Sequence, residues 1–245
     1  MASFVPVLYE DDDVLAVAKP PGVVVVPARN EEPERSLRRR LELERGEPLW
    51  VVHRLDRDTS GVVVFARNAD AHRALSLAFE RREARKTYLA VVRGAPPAEH
   101  GTIGTPLHPA RRGKTRPAEP GEPGALPALT EYDLVRRWRL PAVEVALLEA
   151  RPRTGRHHQV RVHLRSVGAP LLVDPTYGRA ERVTAAELGL GGDRVLCARL
   201  TLHALRLELP GLGGAAPLRI EAGLPDDLAA LLAALDAVAA ASAVP

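Results

Sequence analysis

An α+β fold is predicted for this 245-residue chain by three features of its sequence. Short apolar runs closed by glycine or proline read as strands, separate stretches carry helical spacing, and no internal repeat is present. The strand Val14 to Ala18 ends at Lys19-Pro20-Pro21-Gly22, and Val23 to Val26 reads as a second strand stopped by Pro27. Residues 34 to 45 have helical spacing that turns Leu37, Leu41 and Leu43 inward. A further strand is expected at 62 to 66. Asn68 or Asp70 then caps a helix burying Ala74, Leu75, Ala78 and Phe79.

Lys86 to Val92 reads as a strand closed by Gly94, and Val143 to Ala150 as another. Between them, residues 95–128 are rich in Gly and Pro around a basic centre, which predicts an irregular surface insert. The stretch from Thr154 to Val167 is ambiguous by period. Val160, Val162 and Leu164 alternate as in a strand, whereas Val160, Leu164 and Val167 fit a helix. Thr154 as a start and Gly168 as a stop favour the helix, with His157, Arg161 and Arg165 on one polar face. Strand-like runs return at 171 to 173 and 200 to 209. An Ala/Leu helix closes the chain at 225 to 240, with Asp226 and Asp227 in its first turn.

Composition narrows the function. At 46% hydrophobic, the chain can bury the core of one large domain or of two fused lobes. With no linker in view, a single domain over residues 1–245 is expected. No apolar run approaches the roughly 20 residues of a membrane span, and no secretory signal is visible, so a cytoplasmic protein is expected. Cys197 is the sole cysteine, which excludes an intrachain disulfide. Three of the 34 basic residues are lysines (Lys19, Lys86, Lys114), leaving 31 arginines. They cluster at 38 to 40, 81 to 86, 111 to 116, 136 to 139 and 151 to 165, which favours a nucleic-acid partner.

His53-Arg54-Leu55-Asp56-Arg57-Asp58-Thr59-Ser60-Gly61 is the stretch that carries chemistry. It sets Asp56 between two arginines, at the mouth of an apolar strand. Taken alone, such an aspartate is more often a turn residue than a catalyst. Its company decides otherwise: Lys19 to Gly22, Lys86-Thr87-Tyr88-Leu89-Ala90, Thr154 to Leu164, Asp174-Pro175-Thr176-Tyr177-Gly178 and Leu202-His203-Ala204. Together these segments resemble the RluA-type pseudouridine synthase family from about Tyr9 to Leu228.

The resemblance implies a central, mostly antiparallel mixed sheet with flanking helices and an RNA cleft. It implies cofactor-free isomerisation of uridine in ribosomal or transfer RNA, with the target base flipped out of its stack. Asp56 matches the catalytic carboxylate, Arg161 its basic partner and Tyr88 the ring that stacks on uracil. Arg54 matches the residue that fills the vacated space, and Arg156, Arg165 and Lys86 are expected at the RNA backbone. His53 and Thr59 are expected to shape the turn.

The pattern departs from the family at Val173, where Gly is usual, and in the uncharged stretch 124 to 128, which is more basic in relatives. An N-terminal RNA-binding module of the S4 type is not expected, since about a dozen residues precede the first strand. A monomer is expected. His157, His158 and His163 are not expected to hold a metal, because arginines intervene. The rival readings are a non-catalytic RNA-binding or ribosome-assembly factor on the same core, and a metal-dependent hydrolase using His157 and His158.

Overall fold

The computed structural model describes residues 3–27, 32–178 and 180–241. In chain order the elements are β1 (Val7–Glu10), β2 (Val14–Lys19), α1 (Leu37–Arg45), β3 (Trp50–Val51), β4 (Ser60–Ala66), α2 (Ala69–Glu80), β5 (Arg85–Arg93), β6 (His100–Ile103), β7 (Leu107–Ala110) and β8 (Lys114–Pro117). There follow β9 (Thr130–Arg139), β10 (Glu144–Pro152), α3 (Gln159–Ser166), β11 (Val183–Thr184), β12 (Val195–Cys197), β13 (Leu202–Leu209), β14 (Leu218–Glu221) and α4 (Asp226–Ala241). The chain forms two compact units. The first comprises residues 1–86 and 203–223, the second 87–202 and 224–245.

In the first unit the strand order is β1-β2-β4-β13, with β3 on β4 and β14 on β13. All these pairings are antiparallel except β4 with β13, which run parallel through His203↔Ser60 and Ala204↔Gly61. Every residue of β4 is buried, because both of its faces are covered, and this explains its unbroken apolar run. Each buried valine there contributes roughly 1.5–3 kcal/mol. Ser36 and Asn68 cap α1 and α2 through their side-chain oxygens, accepting from the amides of Arg39 and Ala71.

In the second unit β5, β10, β9 and β6 pair antiparallel in that order, and β7–β8 and β11–β12 form separate antiparallel pairs. Two apolar clusters flank this part of the sheet: one includes Val160 and Leu164 of α3, the other Leu228, Leu231 and Leu235 of α4. The architecture is α+β with a mixed, mostly antiparallel strand arrangement, as the sequence predicted.

Several elements differ from expectation. Val23 to Val26 is not a strand: the Val24 and Val25 carbonyls accept the first amides of α1, from Leu37 and Arg38. Leu43 and Ala74 point to solvent, while Leu37, Leu41 and Leu75 are buried. Leu171 makes only an isolated bridge to Val92. The expected irregular insert at 95–128 contains β6, which pairs with β9, and the β7–β8 hairpin. The ten-residue β9 was not expected, because Arg136-Arg137 interrupt its alternation.

α3 also starts later than Thr154. Gln159 is 4% exposed and satisfies all four of its amide valences. Its Oε1 accepts from Thr154 Oγ1 (2.7 Å) and the Arg156 amide (3.0 Å), and its Nε2 donates to the Leu129 carbonyl and Thr130 Oγ1 (both 2.9 Å). Those bonds hold 154–158 as a turn. The expected polar face is absent: His157 is exposed but precedes the helix, Arg161 is buried, and Arg165 is exposed.

Candidate active site

Asp56, Arg54 and Lys86 belong to the first unit; Tyr88, Arg156, Arg161 and Arg165 belong to the second. Asp56 is half-buried and Arg54 exposed. The Asp56 carbonyl accepts the Thr59 amide (3.2 Å), which closes the turn. Lys19, 1% exposed, donates from Nζ to the carbonyls of Arg57 (2.7 Å), Val23 (2.7 Å) and Pro20 (2.9 Å). A buried ammonium satisfied in this way fastens the residue after Asp56 to the end of β2.

The far side of the turn is equally constrained. Gly61 has φ +117°, and a Cβ there would lie 2.1 Å from the Ala204 carbonyl oxygen, so only glycine fits. His53 Nε2 accepts the Val64 amide (2.9 Å), and its ring stacks on Phe79 with centroids 4.8 Å apart. Burial, and then the nearby Lys86 charge, push the His53 imidazole down to about 3. It is therefore neutral, with its hydrogen on Nδ1. Burial also lowers Lys86, which is half-buried on β5. The Thr59 hydroxyl is buried and finds no hydrogen-bond partner among the described residues. Beside the turn, a cavity of about 570 Å³ is lined by Arg35, Arg40 and Arg57 together with Glu32 and Glu34.

In the second unit Tyr88 is half-buried on β5, opposite Ala150 of β10, with its ring against the cluster of Ala90, Leu148 and Val160. Arg161 makes a two-pronged ion pair with Asp174, Nε to Oδ2 at 2.9 Å and Nη2 to Oδ1 at 2.7 Å. Both side chains are at least 95% buried. Burial alone would raise Asp174. The Arg161 hydrogen bond and charge, with the Tyr177 and Thr176 amides, outweigh it and hold the carboxyl below its ordinary range. Asp174, the partner of Arg161, is the side chain that residue-by-residue reasoning passed over. Its signal was Asp-Pro-Thr-Tyr-Gly, whose following amides bond back to the carboxylate at 2.9 and 3.1 Å.

Tyr177 lies beneath the same guanidinium, 5.0 Å from its ring centroid. Burial raises its phenol, so it keeps its proton at neutral pH. The phenol oxygen accepts the Thr115 amide (2.7 Å) and shares a hydrogen bond with His158 Nδ1 at 2.8 Å. His158 holds a left-handed φ of +55°, unusual for a residue with a side chain. β8 is thereby tied to the start of α3, and Lys114 adds a bond to the Thr176 carbonyl (3.2 Å). His157 stacks on His158, at 3.6 Å between centroids. His163 uses both ring nitrogens elsewhere, on Thr130 Oγ1 and the Thr105 carbonyl. Arg156 donates to the Pro127 carbonyl (3.1 Å), and Arg165 is exposed.

A family model described as RNA pseudouridylate synthase matches residues 13–166, a span that holds the whole Asp56 turn, Tyr88 and Arg161. The chain belongs to this family. The synthase is 38% identical over 242 residues to ribosomal large subunit pseudouridine synthase D of Xanthomonas campestris, covering 94% of this chain and 69% of that protein. It is 36% identical over 206 residues to the dual-specificity RNA pseudouridine synthase RluA of Escherichia coli K12, covering 83% and 85%. The D-type protein of Nitrosomonas europaea is 34% identical, and the synthase spans 64% of its length. Among solved structures, human RNA pseudouridylate synthase domain containing 4 superposes with a TM-score of 0.73 at 27% identity, covering 94% of this chain and 92% of that one. The synthase is thus an isomerase of RNA uridine. No helix among its described residues is long and apolar enough to cross a membrane.

Proposed function

We propose that Asp56 is the catalytic carboxylate of this synthase, Arg161 the cation that keeps it ionised, and Tyr88 the ring that stacks on the target uracil. The reaction breaks the bond between ribose C1′ and uracil N1, turns the base, and joins C1′ to C5; C5 gives up its proton and N1 gains one. A carboxylate serves either route, by attacking C1′ as retaining glycosidases do or by removing a neighbouring ribose proton. The detached base must be held out of water until it rejoins. Tyr88 supplies stacking worth roughly 1–3 kcal/mol, comparable with the cost of extruding a nucleotide. Arg54 occupies the space the base leaves, and Arg156, Arg165 and Lys86 hold the RNA backbone.

The observation that carries this reading is the Asp56 turn, closed on itself and fastened by buried Lys19 on one side and Gly61 on the other. A carboxylate held this firmly suits a reaction that needs a fixed attack geometry. The reading includes no cofactor and no metal. It also includes a monomer acting in the cytoplasm, in keeping with Cys197 as a single buried thiol. Ribosomal or transfer RNA are the proposed substrate classes; among the relatives, the D-type proteins are named for the ribosomal large subunit.

The deciding experiment treats a pool of ribosomal and transfer RNA with wild type or Asp56→Asn and maps pseudouridine by carbodiimide-dependent primer extension. Wild type is expected to modify discrete uridines. Asp56→Asn is expected to lose at least about 10³-fold in rate while still binding RNA. Equal modification by both proteins overturns the assignment of Asp56, and no modification by wild type favours a non-catalytic RNA-binding factor.

A further inference from the structure

We infer that His203 is a positioning residue for catalysis, acting through Ser60 on the exit of the Asp56 turn. The inference rests on Asp56 being the catalytic carboxylate. It is drawn from the one parallel pairing of the first unit, where β4 and β13 meet through only two residue pairs, His203↔Ser60 and Ala204↔Gly61.

His203 is 1% exposed and Ser60 fully buried. The imidazole joins three segments that are distant in sequence. Its Nε2 lies 3.1 Å from the Ala222 carbonyl, which can only accept, so Nε2 carries the hydrogen. In the neutral ring Nδ1 therefore accepts, and the Ser60 hydroxyl donates to it across 2.9 Å. Ser60 is the first residue of β4 and sits four positions after Asp56. The turn between them is closed by the Thr59 amide on the Asp56 carbonyl. Lys19 fixes the turn at Arg57, and His203 fixes the point where it becomes strand.

The chemistry gives this second anchor a purpose. Asp56 must meet one ribose carbon or hydrogen at a near-attack distance, and a 1 Å displacement of a catalytic group can cost about 10²-fold. Gly61 beside Ser60 is held through its backbone, by pairing with Lys19 and Ala204, and has no side chain to add to that hold. A hydrogen bond from Ser60 to a ring itself held by Ala222 adds a side-chain anchor at the residue that joins the turn to the strand. Packing alone would not require this polarity, since a buried Phe or Leu could fill the space.

Two amide substitutions separate the two bonds. In His203→Asn the amide reaches the position of Nδ1 and can keep Ser60; in His203→Gln it reaches that of Nε2 and can keep Ala222. Chemistry is read as tritium released from C5 of RNA transcribed with 5-tritiated uridine, as the single-turnover rate at saturating enzyme. RNA binding is read as the enzyme concentration giving half that rate, and folding as the thermal midpoint.

The expected result is that His203→Asn keeps the rate within about threefold, whereas His203→Gln loses about 10- to 100-fold with unchanged half-saturation. Ser60→Ala, which removes one oxygen and leaves the ring in place, should reproduce the loss and add little to His203→Gln. Rates that follow the thermal midpoints alike in both amide variants, or full activity in Ser60→Ala, overturn the inference. A wild type that releases no tritium instead overturns the synthase assignment of Asp56 on which it rests.

Discussion

The hydroxyl of Thr59 has a cost that the polar groups around it at the Asp56 turn avoid. Lys19 and Ser60 are buried and hydrogen-bonded, whereas the Thr59 oxygen has no partner among the described residues. Leaving such a group unpaired costs about 1–3 kcal/mol, and valine has nearly the same shape without the polar atom. Thr59→Val is therefore expected to stabilise the protein by about 1 kcal/mol in urea denaturation, with catalysis retained. A destabilised variant would show that the hydroxyl does find a partner in solution. The residue scale was also the most legible. The motif pointed to Asp56, Arg161 and Tyr88 as candidates, and it placed Thr59-Ser60-Gly61 as the turn into the apolar strand.

At the scale of elements, the pairing of α3 with the 174–178 loop decides how the arginine cluster works. Arg161 is a buried cation joined to Asp174, and breaking a buried pair on one side costs about 3–5 kcal/mol. Asp174→Asn is expected to destabilise by that amount. A double change, Arg161→Met with Asp174→Leu, should cost less than the sum of the single changes, as measured by a double-mutant cycle in denaturant. Since the Asp174 carboxyl is held below its ordinary range, its contribution is complete above the usual carboxylate titration and fades as pH falls through the lowered value. The helix itself was predictable from Val160, Leu164 and Val167. Its true start was not, because Gln159 sets it through four hydrogen bonds to residues three to thirty positions away.

Across the whole molecule, charge and protonation are shared unequally. Many clustered arginines are committed to carboxylates: Arg153 to Glu131 at 2.8 Å, Arg136 to Asp236 at 2.9 Å, and Arg116 to Glu122. The RNA-facing charge is thus smaller than the count of 31 arginines suggests. Arg54→Ala, Arg156→Ala and Arg165→Ala should each weaken RNA binding and lower the slope of log affinity against log salt by about 1. Arg153→Ala and Arg136→Ala should leave that slope unchanged, as filter-binding titrations over a salt series would show. An equal slope change for both groups would remove the distinction.

Acid sensitivity is the second whole-molecule property. His53 and His163 are both pushed down, chiefly by burial, so the unfolded chain takes up protons near pH 6.5 that the folded chain refuses until about 3 at His53. Stability is full above pH 6.5 and is lost as pH falls, with a slope of up to about 1.4 kcal/mol per pH unit for each histidine. His53→Gln keeps an acceptor for the Val64 amide and should flatten the stability curve between pH 7 and 5. An unchanged curve would mean that His53 titrates normally.

The sequence by itself determined the α+β class and the family, and it singled out Asp56, Tyr88 and Arg161 as the proposed catalytic residues, because these depend on local spacing and on residue types that few other chemistries combine. Only the tertiary structure decided that 95–128 contains three strands, that Arg161 is buried against Asp174, and that His203 reaches back 143 positions to Ser60. Each of these is a long-range hydrogen bond or pairing. Its energy depends on which distant group arrives and on the exclusion of water, and neither is written in the neighbouring residues.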